Sequence, residues 1–343
     1  MLKALVRGPM HRSLLSLLAL APLALAPCAQ ARRRPAPPAP NGALATLIEP
    51  LNLYLQPDSS SSKLTTVSPG REVVINDENG SWVRIFAKVD QQESIAIDEP
   101  ELPAQTQTVP LSGWIRNQGL VTAATPQGDQ ILFGAAQAED DAASHLDPPP
   151  GAAMEARLLY QRVYQMFPKS PLTPEAMWRA ADIRWQLQKA DAATLPSAHT
   201  QQPYMRELMD ENEMRAVMHM FPHTQWAYDA AYALLANQLC GDWQGSEKCP
   251  EREAQVYLHY ADKYPDSPRA ARALYEAAWR EAAAGDMRET DGNAKRAAED
   301  RKYANGIAAR LDAKYPKSSY ATRAAALLFE VSQGMPVYGS SQP

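Results

Sequence analysis

The stretch Val256–Tyr275, VYLHYADKYPDSPRAARALY, decides how the larger part of the chain folds. Tyr257, Tyr260 and Tyr264 are spaced to share one face of a helix. Pro265 has no backbone N–H and clashes with the turn before it, so that helix stops there. Ser267 stands where its oxygen accepts from the free N–H groups of a new helix's first turn. Pro268 then falls at the first helical position, where a missing N–H costs nothing. Ala273 lets the two helices approach closely, and Tyr275 fills the space beside it. The stretch therefore reads as helix, turn, helix.

The same register occurs four times, at Phe167-Pro168, Phe221-Pro222, Tyr264-Pro265 and Tyr315-Pro316, with the prolines 54, 43 and 51 residues apart. Two residues after each proline comes a hydroxyl: Ser170, Thr224, Ser267 and Ser318. Eight residues after it comes an alanine: Ala176, Ala230, Ala273 and Ala324. Ten residues after it stand Trp178, Tyr232, Tyr275 and Ala326, with the aromatics expected in the core. Each proline is preceded on one helix face by a pair: Tyr160 and Val163, Met214 and Val217, Tyr257 and Tyr260, Ala308 and Leu311. One helix pair cannot bury its own apolar face, so such units stack into an array.

These steps resemble the tetratricopeptide (TPR) superfamily, above all its exported members that assist outer-membrane assembly and cell-wall constriction. The resemblance covers residues 152–333 and implies an all-α array of helical hairpins, with 334–343 as a tail. The units are longer than the usual period of about 34 residues. Loops at Lys189–Pro203, Cys240–Cys249 and Gly285–Asn293 are expected to absorb the excess.

Residues 43–121 have a different pattern: short alternating runs separated by turn residues, which indicate strands. Asn79-Gly80 between two apolar runs is a hairpin signal. The segments Leu51-Asn52-Leu53, Pro57, Lys63-Leu64, Pro69 to Val73, Asn79 to Ile85 and Gly113-Trp114-Ile115 resemble, in this order, the bacterial SH3 domain family. The resemblance implies a small all-β barrel with an accessory binding role, often towards the cell wall or its peptides. Tyr54 to Pro57 and the long loop Lys88–Ser112, with its acidic middle, depart from the family where a ligand groove would lie. Residues 122–151 read as a linker, with a short helix over Gln130–Gln137.

Ahead of the strands, Lys3, Arg7 and Arg12 lead into an apolar run that ends in Ala29-Gln30-Ala31. This is the pattern of a signal peptide over residues 1–31, followed by a Pro-rich linker over 32–42. A lipoprotein signal acylated at Cys28 is the alternative, although Pro27 stands where such signals carry a small residue. Cleavage after Ala31 takes the net charge from −5 to −8 and leaves Cys240 and Cys249, a close pair expected to form a disulfide. The expected location is the periplasm or the exterior, with membrane attachment only through lipidated Cys28.

An acidic balance argues against a nucleic-acid partner. The sequence carries no zinc-protease, nucleophile-elbow or phosphate-loop motif. His219 and His223 are four apart, but Pro222 breaks the helix between them, so no metal site is expected. The acidic run Glu207, Asp210, Glu211 and Glu213 reads as a solvated face. Tyr54, Trp82 and Trp114 are the binding candidates of the β domain, against packing in a barrel core as the plainer alternative. The function expected is a non-enzymatic, cofactor-free adaptor or scaffold. Its β domain would contact peptidoglycan or a wall peptide, and its array an envelope protein. A lipoprotein component of an envelope assembly machine is the alternative, and an accessory protein of a wall hydrolase the distant one.

Overall fold

The computed structural model describes residues 41–90, 95 and 110–337. The expected signal peptide, Cys28, nearly all of the Pro-rich linker, the middle of the 88–112 loop and the end of the tail lie outside them.

Among the described residues seven strands come first: β1 (Ala43–Leu47), β2 (Leu51–Tyr54), β3 (Lys63–Val67), β4 (Glu72–Asn79), β5 (Trp82–Ala87), β6 (Leu111–Arg116) and β7 (Leu120–Thr122). They pair antiparallel in the order β3-β2-β6-β5-β4-β1-β7. The alternation is the one the sequence carries: Leu51 and Leu53 on β2 are buried with Val83 and Ile85 on β5 and Ile115 on β6, in one shared core. The hydrogen-bonded ladder does not close into the expected barrel. β3 and β7 are its two ends, and β2 meets β6 through the single pair Tyr54↔Trp114. β7 turns instead towards the helices, where Val121 packs with Leu132, Leu159 and Val163. Gly113 makes the tight β2–β6 crossing feasible: a Cβ there would lie 2.7 Å from Leu53 Cγ and 2.8 Å from the Tyr54 carbonyl oxygen.

Nine α-helices follow among the described residues. A first helix, α1 (Gly128–Ala143), precedes four pairs: α2 (Ala152–Met166) with α3 (Thr173–Thr194), α4 (Asn212–Met220) with α5 (Gln225–Ala233), α6 (Lys248–Lys263) with α7 (Ala270–Thr290), and α8 (Ala294–Lys314) with α9 (Ser319–Ser332). Every aromatic–Pro step is the turn of one pair. Phe167, Phe221, Tyr264 and Tyr315 end their helices with nearly the same backbone, φ between −126° and −132°. Their ψ of 53–62° takes the chain out of the α region, which the following proline disfavours. The hydroxyls Ser170, Thr224, Ser267 and Ser318 accept from Leu172, Ala227, Arg269 and Tyr320 N–H at 3.0–3.3 Å, but only Thr224 and Ser318 are N-caps as expected; Ser170 and Ser267 stand ahead of the N-cap positions Leu172 and Arg269. Pro171 and Pro268 sit two positions earlier than expected, in a turn before the helix. Thr173 and Ala270 N–H bond back three residues to Ser170 and Ser267, so the α-helix proper starts later. The four repeat alanines are all buried.

Two expected loops are partly helical. α3 runs on to Thr194, and α7 continues through Gly285 to Thr290 because α8 packs along it. The acidic run is no solvated face either. Asp210 and Glu213 pair with Arg184 at 3.0 and 3.4 Å, and Glu213 also holds the fully buried Arg157 in a two-point contact at 2.8 Å. Arg157 also donates to the Ala180 carbonyl at 2.8 Å, which ties α2, α3 and α4 together. The Cys240–Cys249 disulfide is present, with Cα atoms 6.0 Å apart. It clips the 3₁₀ segment Leu234–Gln238 to the start of α6 and fits a non-cytoplasmic environment. No described helix is long and apolar enough to cross a membrane.

The sheet and the helices share a junction. Gly70 has φ +73°, and a Cβ on it would lie 2.5 Å from Leu158 Cβ of α2. Its carbonyl accepts from Arg162 Nε at 3.0 Å, and Arg162 also donates to Asp90 at 2.9 Å. Asp90 in turn pairs with Arg71 at 3.3 Å.

Candidate functional site

The three candidates from the sequence come together on one face of the sheet, and it is not the core face. Val83, Ile85 and Ile115 point inward, so the residues between and beside them, Trp82, Arg84, Trp114 and Arg116, point outward. Register does the rest. Trp82 stands opposite Arg116, Arg84 opposite Trp114, and Trp114 opposite Tyr54. The result is a checkerboard of rings and guanidinium groups.

Trp82 is its buried centre, 7% exposed. The Tyr54 ring meets it edge-on at 5.7 Å, and the Arg116 guanidinium lies 4.2 Å above its centroid. Arg116 is fixed further by donating to Ser81 Oγ at 2.9 Å, and Arg84 by donating to Ser112 Oγ at 3.1 Å. Trp82 thus props the face, whereas Tyr54, Trp114, Arg84 and Arg116 present it to solvent. At its margin, Asp58 accepts from the Ser60 hydroxyl and backbone N–H, which together with the nearby Arg116 hold its carboxyl below the usual range. This surface offers ring area beside two oriented cations, a combination suited to a ligand with apolar faces and acceptor or anionic groups.

No family model matches the chain, and no curated protein matches it.

The helical array supplies a second surface. A cleft of about 370 Å³ opens between α3, α5, α6 and α7. Trp178 and Tyr232 line it half-buried, so two of the repeat aromatics expected in the core form a wall instead; Tyr275 is buried as expected. Trp178 stacks against Trp226 at 5.1 Å, and Tyr232 leans on Tyr260 at 5.2 Å. Two arginines of the wall are matched, and both also lie over the Tyr232 ring, at 6.0 and 5.6 Å. Arg269 pairs with Asp229 at 2.6 Å and Arg272 with Glu276 at 3.3 Å. Asp182 has no such match: it accepts from Gln186 at 3.3 Å, and burial raises its pKa.

Asp182 is invisible as a site residue in the sequence, where it is one more acid on a helix. The signal available was its spacing, one turn after Trp178 in the helix that follows a repeat proline. His219 and His223 lie at the α4–α5 turn, with His223 in the left-handed region at φ 64°. Among the described residues, no group of His, Cys, Asp and Glu is arranged to hold a metal ion.

Proposed function

We propose that the chain is a non-catalytic adaptor of the cell envelope, periplasmic or secreted. In this reading the β domain is an SH3-like module that contacts wall material or a wall peptide. The array is a TPR-like scaffold that holds a protein partner in its cleft. The observation that carries the reading is the outward face of Tyr54, Trp114, Arg84 and Arg116. A small domain spends its large aromatic residues on its core unless another surface needs them. Here Trp82, the ring most deeply covered, is enclosed by Tyr54 and Arg116 and lies outside the apolar core of the sheet. Rings held rigid beside pre-positioned guanidinium groups lose little entropy on binding. The disulfide supports an oxidising compartment.

Co-sedimentation of the protein with purified wall sacculi tests the reading. Trp114→Ala and Arg84→Ala alter the exposed half of the face and leave Trp82 covered. Together they are expected to weaken binding about tenfold or more. Equal sedimentation of the double variant and the parent would refute a wall-binding role for this face.

A further inference from the structure

Arg84 and Arg116, on the outward face of the sheet, are held in place without being neutralised. Elsewhere arginines meet acids: Arg162 pairs with Asp90 at 2.9 Å, Arg184 with Asp210 at 3.0 Å, Arg280 with Glu253 at 2.7 Å and Arg288 with Asp300 at 2.8 Å. No ion pair to Arg84 or Arg116 is found among the described residues. A serine hydroxyl fixes each instead: Arg84 Nε donates to Ser112 Oγ and Arg116 Nη1 to Ser81 Oγ. A hydroxyl orients a guanidinium and leaves its charge whole. It also leaves donors over, namely both Nη groups of Arg84 and the Nε and Nη2 groups of Arg116.

The sheet sets the two groups side by side. Trp82 stands opposite Arg116 and Arg84 opposite Trp114, so the two arginines share a diagonal, with Cα atoms about 7–8 Å apart. Both are exposed, and the Trp82 ring 4.2 Å below Arg116 keeps that guanidinium in place. Lys63 faces Tyr54 across β2 and β3, and Asp77 faces Arg84 across β4 and β5. With Asp58 at the margin, cations outnumber acids here. Asp77 accepts from Glu78 N–H at 2.9 Å and Asp58 from Ser60, and neither forms an ion pair with an arginine.

A group that satisfies two fixed and uncompensated guanidinium edges is anionic and double-headed, and beside rings a planar one packs best. A carboxylate has all three properties. Resting on the reading of the β domain as a wall-contacting module, we propose that what it recognises is a free carboxylate of a wall peptide. The carboxylate would lie across Arg84 and Arg116, with the apolar part of the same residue against Trp114 and Tyr54. The chain as a whole is acidic, at −5, so its overall field does not attract an anionic wall, and the recognition falls to this local pair.

Two preparations of purified sacculi are the probes: untreated, and with their carboxyl groups converted to amides by a carbodiimide and ammonia. Untreated sacculi are expected to bind the protein, with an affinity that falls as salt rises. Amidated sacculi should bind it about tenfold more weakly or less. Arg84→Gln gives up only the bond to Ser112 within the protein, so its melt should match the parent's. It should weaken binding to untreated sacculi by a similar factor and no longer distinguish the two preparations. Lys302→Gln, the same loss of one charge on the exposed side of α8, should not weaken binding. Equal binding of Arg84→Gln and the parent, or an equal loss in Lys302→Gln, would overturn the proposal. If the parent binds amidated sacculi as well as untreated ones, the wall reading stands and only the recognition of a carboxylate is wrong. If the parent sediments with neither preparation, both readings fall.

Discussion

Ala273→Leu probes whether the repeat alanines are the seams of the array. Ala273 has no exposed surface, and it lies in α7, which is buried almost continuously from Ala270 to Met287 between α6 on one side and α8 and α9 on the other. Ala277 and Leu274 beside it are equally closed off. A leucine adds three carbons where none fits, and such overpacking costs about 1–3 kcal/mol. For a body of this size that corresponds to a fall in Tm of about 2–10 °C. The matched control is Ala309→Leu, the same chemical change on the exposed face of α8, expected to stay within about 0.5 kcal/mol. Stacked units are stabilised by their neighbours, so the loss at Ala273 should also loosen α5 and α9 in hydrogen exchange. Thermal melts of both variants decide the matter. If Ala273→Leu melts like Ala309→Leu, the close approach at the repeat alanine does not carry the packing assigned to it.

Further outcomes follow from single groups. The mature, denatured and unreduced protein should show no free thiol at Cys240 or Cys249, and breaking so short a bridge should cost about 2–3 kcal/mol in a urea titration. Glu281 is enclosed on α7, where burial and the charges of Asp300 and Glu251 push its pKa up to about 7. The native state therefore binds a proton that the unfolded chain has lost, and stability falls as pH rises from about 4.5 to 7. Glu281→Gln should be stabilising by about 1–3 kcal/mol at pH 8 and nearly neutral at pH 4; a gain that does not depend on pH would contradict this. Gly70→Ala should loosen the sheet–helix junction by about 1–3 kcal/mol, because it combines a positive φ with a clash against Leu158, and an unchanged melt would show that the junction yields. N-terminal sequencing of exported protein should begin at Arg32, and residues 1–31 still attached would exclude cleavage.

The helical pairs were legible because their rules are local. A proline ends a helix through its own missing N–H, a hydroxyl two residues on accepts from an N–H of the turn that leads into the next, and both act within one turn of sequence. The strands were legible for the same reason, through alternation at Leu51 and Leu53 and the turn at Asn79-Gly80. What local rules do not carry is closure. Whether β7 pairs with β3 or turns to the helices depends on Val121 finding Leu132 and Val163, and α1, inside a stretch that reads as a linker, is held by α2 rather than by a strong pattern of its own. Partner choice among charges is equally remote. Arg157 looks like any solvated helical arginine, yet it is wholly buried against Glu213, 56 residues away.

The candidate face shows how far periodicity reaches and where it stops. Alternation places Trp82 and Arg84 together on one side of β5, and Trp114 and Arg116 together on one side of β6. It does not say which side faces the core. That is decided by which set is the larger apolar one, and Val83, Ile85 and Ile115 outweigh the tryptophans because the rings come interleaved with arginines that are expensive to bury. The same competition explains the repeat. At Tyr275 the array closes over the aromatic position, whereas at Trp178 and Tyr232 arginines and aspartates accompany the ring and hold the seam open to solvent. In both parts of the chain, then, a ring beside unburied charge marks a surface, and a ring beside alanine or leucine marks the core. The proposed contacts at Trp114 and Arg84 rest on that one physical distinction.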